Sequence, residues 1–216
     1  LSNRKEEILE KSIELFNEKG CINSSTRHIA DALGISVGNL YYYFKNKEEI
    51  IIAIYMKFMN ILSEQLSTVK KGVDAPFDFY NFLNEHMELE KKYRFFRLEM
   101  NSILQNHPVL KKSLEEGIKK KSQEFKELYY HQINFGYMIS LDEDEMDFIR
   151  SNTWIIGSQW ELYWILMEVY DEKLRRLSGI LNLLYFLKPY LTKKGLEESN
   201  LLSSIAHIKE EIKNAK

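Results

Sequence analysis

Proline and glycine are scarce in this chain, 3 and 9 among 216 residues. The usual helix breakers are therefore largely missing. Apolar residues recur at helical spacing almost throughout, and alternating strand patterns do not occur, which predicts an all-α protein. Cysteine is rarer still. Cys21 stands alone, so an intramolecular disulfide and a cysteine-rich zinc site are excluded. A single thiol is compatible with a reducing compartment, and the expected location is the cytoplasm. Lys, Glu or Asn interrupts every apolar run before the roughly 20 residues that a membrane span needs. Arg4, Lys5, Glu6 and Glu7 precede the first apolar stripe, so no signal peptide is read there and no membrane partner is expected. Neither charge sign dominates: 30 Lys and Arg face 32 Asp and Glu, a net charge of −2. Any affinity for a polyanion must then come from where the cations lie. The composition, 44% hydrophobic and 29% charged, is that of a globular chain with one large or two small domains.

Catalytic patterns are missing too. None of His28, His86, His107, His131 or His207 has a Glu three residues before it, so the paired Glu-x-x-His of di-iron bundles does not occur. No nucleophile elbow, phosphate-cradling glycine loop or CxxC is found. The acids from Asp142 to Glu145 read as residues favoured at a helix N-terminus rather than as a cation site. An enzyme is not expected, and no catalytic residue, metal or cofactor is assigned.

What the chain does contain is a reader-like segment from Ser25 to Lys47, STRHIADALGISVGNLYYYFKNK. Ala30, Leu33 and Leu40 form an apolar seam, and Gly34 sits where a first short helix must stop. Ser25 is placed as an N-cap. A second helix starts at Ser36, with Ile35 and Leu40 at the positions of a hydrophobic staple that sets its exit angle. A following helix starts at Asn46, with Glu49 completing a capping box. Two short helices joined by a glycine turn form a helix-turn-helix, whose second helix enters the DNA major groove. From Ser24 to Lys47 the cations are Arg27, Lys45 and Lys47 against one acid, Asp31. So small a positive face calls for two copies.

The residues fit that chemistry. Gly38 lets the helix backbone approach DNA closely. Asn39 can pair bidentately with an adenine edge. Tyr41, Tyr42 and Tyr43 bring hydroxyls on aromatic bodies, though three consecutive tyrosines cannot all face outward. Val37 is either a helix starter or a contact to a thymine methyl. Thr26 and Arg27 open the helix that crosses the backbone, and Arg27 can alternatively reach a guanine edge. Lys47 lies beside a helix N-terminus, where free N–H groups also favour a phosphate.

ELFNEKG (Glu14 to Gly20), STRHIADALGIS and VGNLYYYFKNKEEI together resemble the TetR-like family of bacterial transcriptional regulators. The likeness is close over roughly the first fifty residues; the remainder agrees in helix count and lengths. The resemblance implies an N-terminal three-helix DNA-binding domain, residues 1–47, and a C-terminal helical bundle, residues 48–216, joined by helix four, with about nine to ten helices in all. It also implies that Tyr42 contacts phosphate and that Phe44 is core. An acid is common in the family where His28 stands; the imidazole is expected to cost helix stability while adding a donor near phosphate.

In the body, a helix break is expected at Lys71 to Pro76, followed by helices near 77–90, 93–106, 108–135, 140–170, 173–191 and 196–213. Ser140 to Glu143 reads as a capping box. The resemblance implies a small-molecule effector site here and a homodimer whose helices eight and nine form an intersubunit four-helix bundle. Trp160, Tyr163, Trp164 and Met167 share one helix face, with Gly157 beside them to admit a neighbouring helix. They read either as packing or as a ligand cage. Arg94 and Arg97, next to Phe96, can clamp a carboxylate or pair with a neighbouring Glu. The expectation is a homodimeric, ligand-responsive repressor on a near-palindromic operator in double-stranded DNA, released by an effector with apolar surface. The alternative is a DNA-binding protein whose bundle is an interaction or structural module without a switch.

Overall fold

The computed structural model describes residues 2–70 and 75–215. Residues 71–74 of the expected break, Lys71 to Pro76, lie outside the described residues, and Ala75 and Pro76 are non-helical. Eleven α-helices occur among them, and no strand beyond a single Met138–Leu191 bridge. Their contacts divide the chain into two compact units. The first comprises Leu1–Ser63 and Leu89–Lys121; the second comprises Glu64–Glu88 and Ser122–Lys216.

The first unit is built on α1 (Ser2–Lys19), α2 (Thr26–Ala32), α3 (Val37–Tyr43), the beginning of α4 (Lys47–Lys70), α6 (Arg94–Asn106) and the beginning of α7 (Pro108–Asn134). The apolar stripe of α1, Ile8, Leu9, Ile13 and Phe16, is buried. Gly20 ends α1 with φ +86°, a left-handed conformation that side chains resist. Ile29 and Ala30 from α2, Leu40 from α3, and Phe44 close over that stripe together with Ile50, Ile51, Ile54, Phe95 and Phe96. The cluster thus runs past residue 47 into α4 and α6. Helices α1 to α3, two of them only seven residues long, share their core with α4 and α6. Where α4 meets α7, Tyr55 fills the space at Gly117, where a Cβ would lie 2.5 Å from the Tyr55 hydroxyl.

The second unit contains the start of α5 (Phe79–Lys92), the end of α7, then α8 (Glu143–Leu166), α9 (Glu172–Leu187), a 3₁₀ turn (Lys188–Tyr190), α10 (Lys193–Glu198) and α11 (Leu201–Asn214). Leu177, Ile180, Leu183, Leu184 and Leu187 form the buried face of α9. Trp160 of α8 lies on Gly179, whose hydrogen a Cβ could not replace without coming within 2.8 Å of the indole. Within the chain the close helix approach is made at Gly179; among the described residues nothing lies within 4 Å of a Cβ at Gly157.

Three boundaries differ from expectation for local reasons. Asp142, not Ser140, caps α8, its side chain accepting from the Glu145 N–H at 2.8 Å. Glu143 is meanwhile taken by Lys126 at 2.5 Å and by the Tyr130 hydroxyl at 2.6 Å. Helix α8 stops at Leu166, where Glu168 turns left-handed at φ +61° and the Val169 N–H reaches back to the Trp164 carbonyl at 3.0 Å. Beyond it Arg175, paired with buried Glu161 at 3.6 Å, donates to the carbonyls of Val169 and Tyr170. The last two expected helices become three α-helices and a 3₁₀ turn, because Pro189 ends one run and Thr192 caps the next.

Candidate nucleic-acid interface

Ser25 accepts from the His28 N–H at 3.2 Å, and Ser36 accepts from the Asn39 N–H at 3.1 Å. Both helices of the motif therefore start on a serine cap, each worth about 1 kcal/mol. Gly34, at φ +65°, makes the turn between them. His28 brings a correction. Its Nδ1 accepts from the Ser25 N–H at 3.2 Å, so the imidazole closes the capping box that an acid would otherwise close. The expected loss of helix stability is offset there, and that ring nitrogen accepts rather than donates. At α4, Asn46 accepts from the Glu49 N–H at 2.9 Å, while Glu49 reaches the Lys45 N–H at 2.9 Å, one residue before the expected partner.

These caps hold one face of the motif to solvent. Arg27, Gly38, Asn39, Tyr41 and Tyr42 are exposed there, and Thr26 is half-buried. The Tyr41 hydroxyl lies 3.2 Å from Thr26 Oγ1, which links α3 to the first residue of α2. Tyr43 is the inward member of the three tyrosines, half-buried against the core and edge-on to Tyr42 at 5.0 Å. Val37 also packs against that core while remaining half-exposed, and Phe44 is buried. Lys47 is placed differently from a freely extended phosphate ligand. Its ammonium donates to the Cys21 carbonyl and, at 3.4 Å, to the Ile22 carbonyl, and it lies over the Phe16 ring. Burial pulls it below the usual lysine range. An ammonium has three donors, and these carbonyls engage two.

One residue at this motif was not legible beforehand. Glu99, on α6, accepts from the Cys21 N–H at 2.8 Å and from the Ile22 N–H at 3.1 Å. Nothing in the sequence near Glu99 marks it, because its partners lie 78 and 77 positions earlier.

The residues singled out for an effector fall in two groups, one in each unit. In the first unit, Arg97 pairs with a neighbouring Glu, Glu90, at 2.9 Å, and both side chains are largely buried. Phe96 is buried edge-on to Tyr55 at 5.7 Å, and Arg94 is half-buried. In the second unit, Trp160 is buried on Gly179, while Tyr163 is exposed and edge-on to half-buried Trp164 at 5.1 Å. A cavity of about 150 Å³ in that unit is lined by Asp171, Lys173, Leu174, Leu177, Glu211 and Ala215. That is below the roughly 300 Å³ at which ligand pockets begin. No helix of the described residues is long and apolar enough to cross a membrane.

Comparison with known proteins agrees with the motif. Residues 8–54 match the family described as bacterial regulatory proteins, tetR family, and residues 57–198 match TetR, described as bacterial transcriptional repressor. The fatty acid metabolism regulator protein of Bacillus subtilis (strain 168) is 28% identical over 174 residues, which is 71% of this chain and 84% of that protein. The HTH-type transcriptional repressor KstR2 of Rhodococcus jostii (strain RHA1) is 35% identical over 75 residues, but only 34% of this chain and 37% of that protein are covered. Among solved structures, a TetR-family transcriptional regulator from Marinobacter aquaeolei VT8 superposes with a TM-score of 0.79 at 28% identity, covering 94% of this chain and 98% of that one. With both parts of the chain matched, the protein belongs to the TetR family of bacterial transcriptional regulators.

Proposed function

We propose that two copies of this chain bind a near-palindromic operator and repress transcription until a small molecule releases them. The observation that carries the reading is the capped, solvent-facing surface of α2 and α3 over a closed core. Asn39 and Gly38 read base edges in the major groove, with Val37 against a thymine methyl. Tyr42 contacts phosphate, Tyr41 and Tyr43 support it from either side, and Thr26 and Arg27 sit on the backbone at the start of α2. Lys47 offers its third donor to a phosphate.

The dimer forms through α8 and α9. Phe148, Ile155, Leu162 and Leu166 are exposed on α8, and their spacing puts all four on one face of the helix. Four large exposed apolar side chains on one face, with Gln159 between Ile155 and Leu162, mark a protein contact rather than a wet surface. Tyr185 is exposed on α9 and extends the same kind of surface. The effector is an apolar molecule, a class in keeping with the name of the Bacillus subtilis relative; Arg94, Arg97 and Phe96, or Trp160, Tyr163 and Trp164, are its candidate contacts. The protein acts in the cytoplasm, where its DNA is. A ligand can release the operator only by binding the two states of the protein unequally.

The test is selection of duplexes from a random pool by the full chain. The reading expects an inverted repeat whose half-sites lie about one helical turn apart or somewhat more. Recovery of unrelated sequences without symmetry would overturn it.

A further inference from the structure

The turn between α1 and α2 is gripped from two sides. Glu99 of α6 takes the N–H groups of Cys21 and Ile22, one on each carboxylate oxygen, at 2.8 and 3.1 Å. Lys47 of α4 donates to the carbonyls of the same two residues. Charge-assisted bonds of this kind are roughly twice as strong as neutral ones, so the backbone around Cys21 and Ile22 forms a fixed point. From there the chain reaches the reader with no slack. Ser24 is buried and donates to the Gly20 carbonyl at 2.8 Å, Ser25 caps α2, and Thr26 meets the Tyr41 hydroxyl of α3. Helix α6 is itself registered on α1, because Asn17 accepts from the Phe95 N–H at 3.0 Å and donates to the Lys92 carbonyl at 2.8 Å. A shift of α6 along α1 would therefore move the Glu99 carboxylate, and with it the first turn of α2.

We propose that Glu99 is a positioning residue for DNA reading: its carboxylate sets the pose of α2, and through Thr26 and Tyr41 that of α3. This gives α6 a hold on the reader that does not pass along α4. It rests on the DNA-binding reading above, and adds a residue that touches no DNA.

The test uses the full chain and the duplex that the wild type enriches from a random pool. Glu99→Gln is nearly isosteric but sets an amide group against a backbone N–H. Glu99→Asp keeps the charge and withdraws it by one methylene. Asn17→Ala removes a polar tie between α1 and α6 that does not touch the turn. Affinity, salt dependence, base preference and thermal midpoint are measured for each. Both Glu99 variants are expected to lose about tenfold or more in affinity, with base preference relaxed where Asn39 reads. Their log–log salt slope should stay unchanged, since no phosphate contact is removed. Asn17→Ala, which only loosens the register of α6 on α1 and leaves the Glu99 carboxylate its partners, is expected to lose much less affinity than the Glu99 variants for the same fall in thermal midpoint. The proposal is overturned if either Glu99 variant binds as the wild type does, or if all three lose affinity only in proportion to lost stability. Should Glu99→Gln fail to fold, Glu99→Asp carries the same decision. A wild type that enriches no DNA would instead sink the DNA-binding reading, and this inference with it.

Discussion

Tyr42 on α3 and Leu166 on α8 are almost equally exposed, at 73% and 72%, yet they stand on surfaces of opposite kinds. In the same motif as Tyr42 the exposed groups include Arg27, Asn39, Lys45 and Asn46, each with donors to offer and each reached by water. Around Leu166 on the same helix are Leu162, Ile155 and Phe148, with nothing to offer water. The first surface suits a hydrated polyanion, for which phosphate contacts supply affinity and base edges supply choice. The second suits a dry partner of similar shape. The contrast shows that exposure alone identifies neither; what the exposed atoms can bond to does.

The comparison breaks most visibly at α8. Replacing Leu162 and Leu166 together by Glu puts charge into the proposed subunit contact, where unpaired buried charge is strongly unfavourable. Sedimentation should report a monomer, and operator affinity should fall about 100-fold or more as the second reader is lost. A dimer of unchanged affinity would mean the stripe faces something else. On the polar surface, Asn39→Ala should cost about 1–3 kcal/mol of operator binding and relax preference at one base position, leaving the dimer intact.

Smaller effects separate the roles within the reader. Lys47→Ala should make the salt slope shallower by about one if the third donor meets a phosphate. It should also lower the thermal midpoint, because the Cys21 and Ile22 carbonyls lose their donor. An unchanged slope with lowered stability would confine Lys47 to the turn. Smallest is an effect of pH on α1. Burial raises the Glu10 carboxyl, but hydrogen bonds from Lys57 and Lys92 outweigh it and hold the group at about 2. In the unfolded chain a Glu titrates near ~4.3. The stabilisation is therefore fully present above that value and is lost as pH falls toward about 2. Solvent reaches these side chains, so screening keeps the contribution to about 1 kcal/mol or less. Glu10→Gln should flatten the acid limb of the thermal midpoint between those values and leave DNA binding at neutral pH unchanged.

Much of the reader was legible because its determinants are local. Ser25, Ser36 and Gly34 act on neighbours a few residues away, and a cap or a left-handed turn leaves its mark in the sequence itself. The inward turn of one tyrosine followed from the helix period. What escaped depends on distance along the chain. Glu99 and Lys47 meet at Cys21 and Ile22 from 78 and 26 positions away, and no local pattern announces such a meeting. His28 looked like a missing acid because only the charge was weighed, not the ring nitrogen that can accept in its place. In the body, leucines continue past the end of α9, so Pro189 and the Thr192 cap were outvoted by periodicity. The α8 stripe was hidden for a related reason: its residues are as apolar as core residues, and only the fold shows that they stand outside.

The central claim is that a nearly neutral chain concentrates its phosphate-binding groups on one small surface and doubles that surface in a dimer. It is tested most directly by titrating operator binding by the wild-type chain against salt. The account predicts a straight log–log plot with a steep negative slope, several phosphate contacts per dimer. A flat plot at any protein concentration that sustains the dimer would contradict it.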